Sequence, residues 1–334
     1  MQHFVIVGIL VVVMAVLTYV GLDSAGLMPV QASAQAVSID WLWKWQVVAM
    51  SFLFALIFVP LVYSLIVFRR KKGETGDGEH IEGNTNLEIA WTVLPLFLVL
   101  AFAYMGAYSL GETNRVDPDA IEIKVKGQQF SWTFEYPEYG IVSTELHLPV
   151  DQQVVLKMES TDVIHSFWVP EFRVKQDVVP GRVTQYRITP TLVGDYKVRC
   201  AELCGMSHYK MENPVIVDTQ ADYDVWIVEQ QAIAAAAQTP EGQGQLLTVK
   251  NGCIGCHSID GSKLVGPSWL GTYGSTREFA DGTSAVADDA YIIQSIREPL
   301  AHEVAGFSPS TMPPYTALTD EEIANIIAYL KTLK

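Results

Sequence analysis

Basic residues are scarce in this chain: 22 Lys and Arg stand against 37 Asp and Glu among 334 residues, a formal net charge of -15 and a pI near 4.8. The phosphate-neutralising surface that a nucleic acid requires is missing, which excludes DNA and RNA as partners. Charge of either sign is sparse at 18%, and a mean hydropathy of +0.21 is too high for a disordered chain and unusual for a purely soluble one. Cysteine occurs only at 200, 204, 253 and 256. Two close pairs suit two local sites better than a long-range disulfide framework. No internal repeat, Walker loop, dinucleotide fingerprint or nucleophile-base constellation occurs, so the sequence offers no nucleotide-binding or nucleophilic-catalysis motif.

Three stretches lack any charge over the ~20 residues a bilayer core requires: Phe4 to Leu22, Trp45 to Phe68, and Ile89 to Gly111. All three read as membrane helices within a segment 1–111, in a lipid bilayer. The first also resembles a secretory signal, because Ala32-Ser33-Ala34-Gln35-Ala36 follows it; a retained helix is the expectation. The basic cluster Arg69-Arg70-Lys71-Lys72 directly after the second helix belongs in the cytoplasm. Everything from about Glu112 onward then lies on the outer face. Trp41, Trp43 and Trp45 are placed ahead of the second helix as an interfacial belt.

Residues 112–220 read as a small β-sandwich. Short alternating or β-branched runs at Ile121 to Val125, Phe130 to Tyr136, Val154 to Met158, Thr184 to Thr189 and Tyr196 to Arg199 are punctuated by Pro, Gly and Asp. Residues 221–242 form a helix and linker, with Thr239-Pro240-Glu241-Gly242-Gln243-Gly244 as a flexible joint. A third domain spans 243–334. Its last helix is well specified: Thr319 and Glu322 form a capping box, and Ile323, Ile326, Ile327 and Leu330 make one apolar stripe.

The run C-A-E-L-C-G-M-S-H-Y-K-M at 200–211 places two thiols, an imidazole and a thioether on one loop. His165 supplies a second imidazole from the end of another β segment. Soft thiolates with imidazole and thioether select copper, and a weak Met ligand argues against zinc. A mononuclear blue-copper site leaves one Cys surplus. Cys200 and Cys204 bridging two coppers, with His165 and His208 terminal and Met211 as a weak ligand, use every donor, the last place falling to a carbonyl of the 200–204 loop. The competing readings are a Cys200 to Cys204 disulfide and a zinc clip. His147, also on a β segment, lacks a soft neighbour and reads as structural.

C-I-G-C-H at 253–257 is the attachment pattern for c-type haem: Cys253 and Cys256 add to the vinyls and His257 ligates iron. A two-thiol zinc or redox motif is the alternative. Met312 in T-M-P-P-Y is the one Met after 211; as the opposite ligand it raises the reduction potential, as a carrier requires. His302 is its competitor.

Together these motifs resemble subunit II of haem-copper cytochrome c oxidases, in the form with a fused C-terminal cytochrome c domain, as in bacterial caa-type oxidases. D-V-I-H-S-F at 162–167, V-P-G-R at 179–182 and the 200–211 run carry the likeness to the dinuclear copper A centre; C-I-G-C-H, L-V-G-P at 264–267 and T-M-P-P-Y carry that to class I cytochrome c. The resemblance implies a multidomain membrane protein: N-terminal transmembrane helices, a cupredoxin-like β-sandwich and an all-α class I cytochrome c domain. It implies two copper ions with the Glu202 carbonyl completing the ligand set, one covalent haem c, and a magnesium ion that the Glu202 carboxylate shares with subunit I. Glu88 in E-I-A-W-T-V-L-P falls where relatives place a proton-channel glutamate; otherwise it is an acid at a helix N-terminus. Expected partners are subunits I and III and a donor, either a soluble cytochrome c or an upstream quinol-oxidising complex, at a bacterial plasma membrane with the copper and haem domains outside.

Two departures from the family stand out: relatives usually have two membrane helices, and G-Q-Q-F-S-W at 127–132 has Phe130 where the family has a Trp that accepts electrons from soluble cytochrome c. The electron path is assigned to Phe130 and Trp132. The rival readings are a quinol oxidase subunit, which typically lacks the copper ligands, a copper A nitric oxide reductase subunit, and a membrane-tethered carrier.

Overall fold

The computed structural model describes residues 2–73, 75–78, 80, 82–307 and 312–334. The chain divides into two units, one made of 1–31 and 35–115, the other of 32–34 and 116–334.

The first unit holds three helices, each long and apolar enough to cross a membrane: α1 (Gln2–Ser24), α2 (Ala34–Val67) and α3 (Thr85–Thr113). Pro60 lies inside α2 and Pro95 inside α3, which membrane helices tolerate. Helix α2 begins at Ala34, well before Trp45, so the three tryptophans lie within the helix and not ahead of it. Asp40 and Lys44 mark where the apolar span starts, but a helix accepts isolated charges readily and continues past them. Asn84 caps α3, its side chain accepting the Leu87 N–H at 3.1 Å.

The second unit contains the β-sandwich. One sheet has the order β3-β2-β1-β5-β8, the other β4-β10-β9-β6-β7. The strands are β1 (Ile121–Gln128), β2 (Ser131–Tyr136), β3 (Ile141–Ser143), β4 (Leu146–Pro149), β5 (Val154–Ser160), β6 (His165–Val169), β7 (Val174–Val178), β8 (Thr184–Ile188), β9 (Gly194–Cys200) and β10 (Glu212–Asp218). β1 runs parallel to β5 and β4 to β10; the other pairs are antiparallel. Inward positions fill the core with Ile123, Trp132, Phe134, Leu156, Phe167 and Phe172. Residues 32–34, read above as a potential cleavage site, join this unit: Ser33 is fully buried and its hydroxyl donates to the Phe172 carbonyl at 2.9 Å.

His147 sits in a packed polar cluster. Its Nδ1 is 2.7 Å from Asp218, its ring stacks on Trp226 at 4.2 Å, and its N–H donates to the Tyr136 hydroxyl at 2.7 Å. Trp226 belongs to α4 (Gln220–Ala236), so the cluster seats that helix on the sandwich.

Helix α5 (Pro240–Lys250) follows, then the hairpin β11 (Thr276–Glu278) and β12 (Ser284–Val286), then α6 (Asp289–Arg297) and α7 (Asp320–Leu330). The capping box of α7 is formed from both sides, and Ile323, Ile326, Ile327 and Leu330 are buried. The joint expected at 239–244 is instead the first turn of α5. Thr239 is its N-cap, accepting from the Gly242 N–H at 3.2 Å, with Pro240 behind it. Gly242 and Gly244 are there for space: a Cβ on Gly244 would run into the Asn325 carbonyl of α7.

Gly244→Ala is expected to destabilise the C-terminal domain by about 1–3 kcal/mol, the range for overpacking a close contact. Thermal unfolding followed by the haem-domain signal checks this, with Gln245→Ala on the same helix as the tolerated control.

Candidate metal and haem sites

The 200–211 loop leaves β9 and re-enters at β10, so its two ends are fixed by neighbouring strands. Cys200 N–H donates to the Met211 carbonyl at 3.0 Å and Ala201 N–H to the Ser166 carbonyl at 2.9 Å. At this closed loop the donor atoms converge, His165 reaching it from β6. The sulfurs of Cys200 and Cys204 are 3.8 Å apart; His165 Nδ1 lies 3.8 Å from the first and His208 Nδ1 3.6 Å from the second. Met211 Sδ is 3.8 Å from Cys204, and the Glu202 carbonyl oxygen 3.2 Å from Cys200. Six expected ligands thus meet in one place, with His165, Cys200, Cys204 and Met211 buried. The cysteines are free, so the disulfide reading is not realised. His165 opens β6 rather than ending a β segment.

The sulfur pair cannot ionise twice without a cation. The hydrogen bond with Cys204 draws the Cys200 thiol down to about 3, whereas the same contact and burial push Cys204 far above the usual thiol range. The two sulfurs hold one proton between them, which binding of metal would displace. Burial alone would disfavour protonated His165, but Asp162 and Cys200 outweigh it and raise its pKa. Asp162 holds His165 Nε2 at 2.8 Å, leaving Nδ1 for the metal in the carboxylate-histidine arrangement common at metal sites. Asp162 was not anticipated, although it stands three residues before His165 in the D-V-I-H run.

The donor set therefore fits two thiolate-bridged coppers: paired soft sulfurs, one imidazole beyond each, and a weak thioether.

The haem motif forms a 3-10 turn, Cys253–Gly255, after α5. His257 Nδ1 lies 2.8 Å from the Pro267 carbonyl and the ring stacks on Trp269 at 4.9 Å, which leaves Nε2 for iron. Gly266 is needed here, because a Cβ would approach the His257 ring at 2.7 Å. Cys253, Cys256, His257 and Met312 line one cavity whose other walls include Ile292, Ile326 and Leu330. An apolar slot with two free thiols, an imidazole and a thioether fits a covalent haem. Burial raises both thiols, Cys253 to about 12. His302 lines the same cavity but stacks on Phe279 at 4.7 Å. Thr311 of the T-M-P-P-Y run lies outside the described residues.

Phe130 and Trp132 differ in placement. Trp132 is fully buried, T-shaped against His165 at 6.0 Å and Phe167 at 5.7 Å, so it offers no surface. Its indole N–H has no partner among the described residues. Gly127 lets it approach, since a Cβ there would meet both Trp132 and His165 within 3.2 Å. Phe130, 5% exposed, is a turn residue between β1 and β2. Glu88 is exposed in the first turn of α3.

Apolar membrane helices, a sandwich with a buried sulfur-imidazole cluster and a domain with a c-type haem slot together define a membrane-anchored redox protein. Family models match in the same order: the transmembrane domain of cytochrome c oxidase subunit II at 20–110, its periplasmic domain at 141–220, and cytochrome c at 242–334. Cytochrome c oxidase subunit 2 of a Synechocystis strain is 36% identical over 249 residues, covering 60% of this chain and 75% of that protein. The subunit of the same name from Alkalihalophilus pseudofirmus is 31% identical, covering 86% and 85%, and that of Thermostichus vulcanus 36% identical, covering 64% and 82%. The chain belongs to the cytochrome c oxidase subunit 2 family, in the form with a fused cytochrome c domain.

Cys204→Ser is expected to abolish the paired copper centre while leaving the c-haem spectrum intact, because separate elements build the two sites. Copper content and paramagnetic resonance check this; two coppers per chain in the original electronic state would refute the bridging assignment. Met312→Ala is expected to retain covalent haem, which needs only Cys253 and Cys256, and to lower its midpoint potential. The same shift from His302→Ala, without one from Met312→Ala, would make His302 the ligand.

Proposed function

We propose that this chain is the electron-receiving subunit of a respiratory terminal oxidase. In this reading it takes electrons from a donor at its haem domain and delivers them, by way of the copper A site, to the haem-copper subunit I, which reduces oxygen to water and pumps protons. The single observation that carries the proposal is the convergence of six candidate copper donors, five from the 200–211 loop and His165 from β6, beside a cavity lined by the c-type haem motif. The bound copper pair and haem c supply one-electron redox states. The chain's residues hold those groups rigidly: Asp162 fixes His165, Pro267 and Trp269 fix His257, and the strands around 200–211 restrain the loop, so little need rearrange on electron transfer.

Subunits I and III are the partners in this reading, with a soluble cytochrome c or a quinol-oxidising complex as donor. The exposed Glu202 carboxylate serves a magnesium ion shared with subunit I, and Glu88 stands at the mouth of a proton channel. The location is a bacterial plasma membrane with the redox domains on its outer face. The presence of every copper ligand speaks against a quinol oxidase. A copper A nitric oxide reductase is separated by the spectrum and metal content of the purified native complex: copper, c haem and a-type haem together support the oxidase.

A relay in series has a direct test. Cutting the chain at 237–238, ahead of α5, is expected to leave copper assembled but to slow its reduction by the physiological donor once the haem domain is washed away, because tethering keeps the local concentration of that domain high. Unchanged reduction would show that the donor reaches copper directly.

A further inference from the structure

The turn between β1 and β2 consists of Gln129 and Phe130, the flanking Gln128 and Ser131 being the last pair of the ladder. This hairpin tip touches both redox sites. On the haem side, the Gln128 side-chain amide donates to the Asn251 carbonyl, and Ser131 Oγ to the Gly252 carbonyl at 3.4 Å. Gly252 and Gly255 have no room for a Cβ against Gln128 and Ser131. The Phe130 backbone N–H is directed at the Cys256 sulfur, and Gln129 lines the haem cavity beside Cys253 and Cys256.

On the copper side, Gln129 makes two contacts of its own. Its backbone N–H donates to Asp162 Oδ2 at 2.7 Å, the carboxylate that holds His165. Its side-chain Nε2–H donates to the Cys204 carbonyl. From that carbonyl to the Cys204 sulfur the route is wholly covalent. A Cβ on Gly205 would approach Gln129 Nε2 at 2.8 Å and Phe130 Cζ at 3.0 Å, so Gly205 is what lets the tip seat itself.

We propose that the Gln129 side-chain amide is the coupling bridge between the haem cavity and the copper site, with its hydrogen bond to the Cys204 carbonyl as the one non-covalent step between cavity wall and bridging sulfur. This assignment rests on the relay reading above. One electron crosses, its source passing from ferrous to ferric and the copper pair gaining it, with no bond made or broken and no proton moved. Gln129 acts through Cys204 and is a positioning residue. The aromatic Phe130 ring, although the more conspicuous candidate, packs on Gly205 and makes no hydrogen bond to a ligand.

The test uses the full-length loaded protein, with the haem photoreduced by a ruthenium complex and copper reduction followed optically. Gln129→Met keeps length and bulk but removes the N–H donor. It is expected to slow haem-to-copper transfer several-fold with both midpoint potentials and both optical spectra unchanged. In the copper-free, haem-free chain, the same substitution is expected to speed amide exchange in 200–206 and to leave 319–330 unaffected. A wild-type transfer rate in Gln129→Met overturns the bridge. If that variant fails to load copper, Gln129→Glu, of the same length and also without the donor, replaces it; failure of both to load overturns the assignment, since Gln129 would then belong to copper assembly. Absence of haem-to-copper transfer in the wild-type chain defeats the relay reading itself, a result distinct from transfer that ignores Gln129.

Discussion

Two buried sulfurs 3.8 Å apart govern this molecule. Like charges at that distance in a poorly polarisable interior cannot both be uncompensated, so the metal-free pair shares a proton and the metal-bound pair depends on its cations. A loop that must accept both conditions without moving has to be held from outside. Its first residue is tied to its last, Cys200 to Met211, and its second to β6 through the Ser166 carbonyl. The sandwich is the clamp. Its β6, β9 and β10 lie side by side in one sheet, and the donors leave from their ends.

The clamp extends to the haem side through one hairpin. The β1–β2 tip reaches the copper loop at Cys204 and Gly205 and the haem turn at Gly252 and Gly255, and both approaches are made over glycines. At Gly205 and Gly252 the backbone has φ of +136° and +67°, so glycine serves a conformational need as well as a spatial one. Two separate loops thus spend their side-chain-free positions on the same tip. Backbone approach of this kind shortens the distance between sites by removing the layer of side chains that ordinarily separates two packed domains.

Legibility in the sequence followed the range of the interactions. Candidate ligand residues were readable because a metal or haem demands particular donors at close spacing, and the fold brings the six candidate copper donors together and lines one cavity with Cys253, Cys256, His257 and Met312. The α7 helix was readable because capping and apolar periodicity are local. The α5 start was missed although Thr239, Pro240 and Glu241 form an ordinary N-terminal signal, because Gly242 and Gly244 read as flexibility; Gly242 makes room for the backbone of Ala237 five residues before it, and Gly244 for the Asn325 carbonyl, which lies far along the chain. The extent of α2 was missed because hydropathy reports the apolar span, not the helix. Asp162, Gln129 and Gln128 were passed over as ordinary polar residues, since only the tertiary fold shows what they bond to.

Phe130, where the resemblance implies a tryptophan, acquires a physical sense from this arrangement. An indole serves a mobile donor by presenting a polar edge and a flat face to solvent. Here the position is only 5% exposed, its backbone N–H faces Cys256 and its ring lies over Gly205, so no face remains for a diffusing partner. An indole N–H at this site would need a hydrogen-bond acceptor within a contact already closed by glycines, whereas a phenyl ring fills the same gap without that demand. The loss of the donor group at 130 and the close seating of the haem turn are consequences of one constraint.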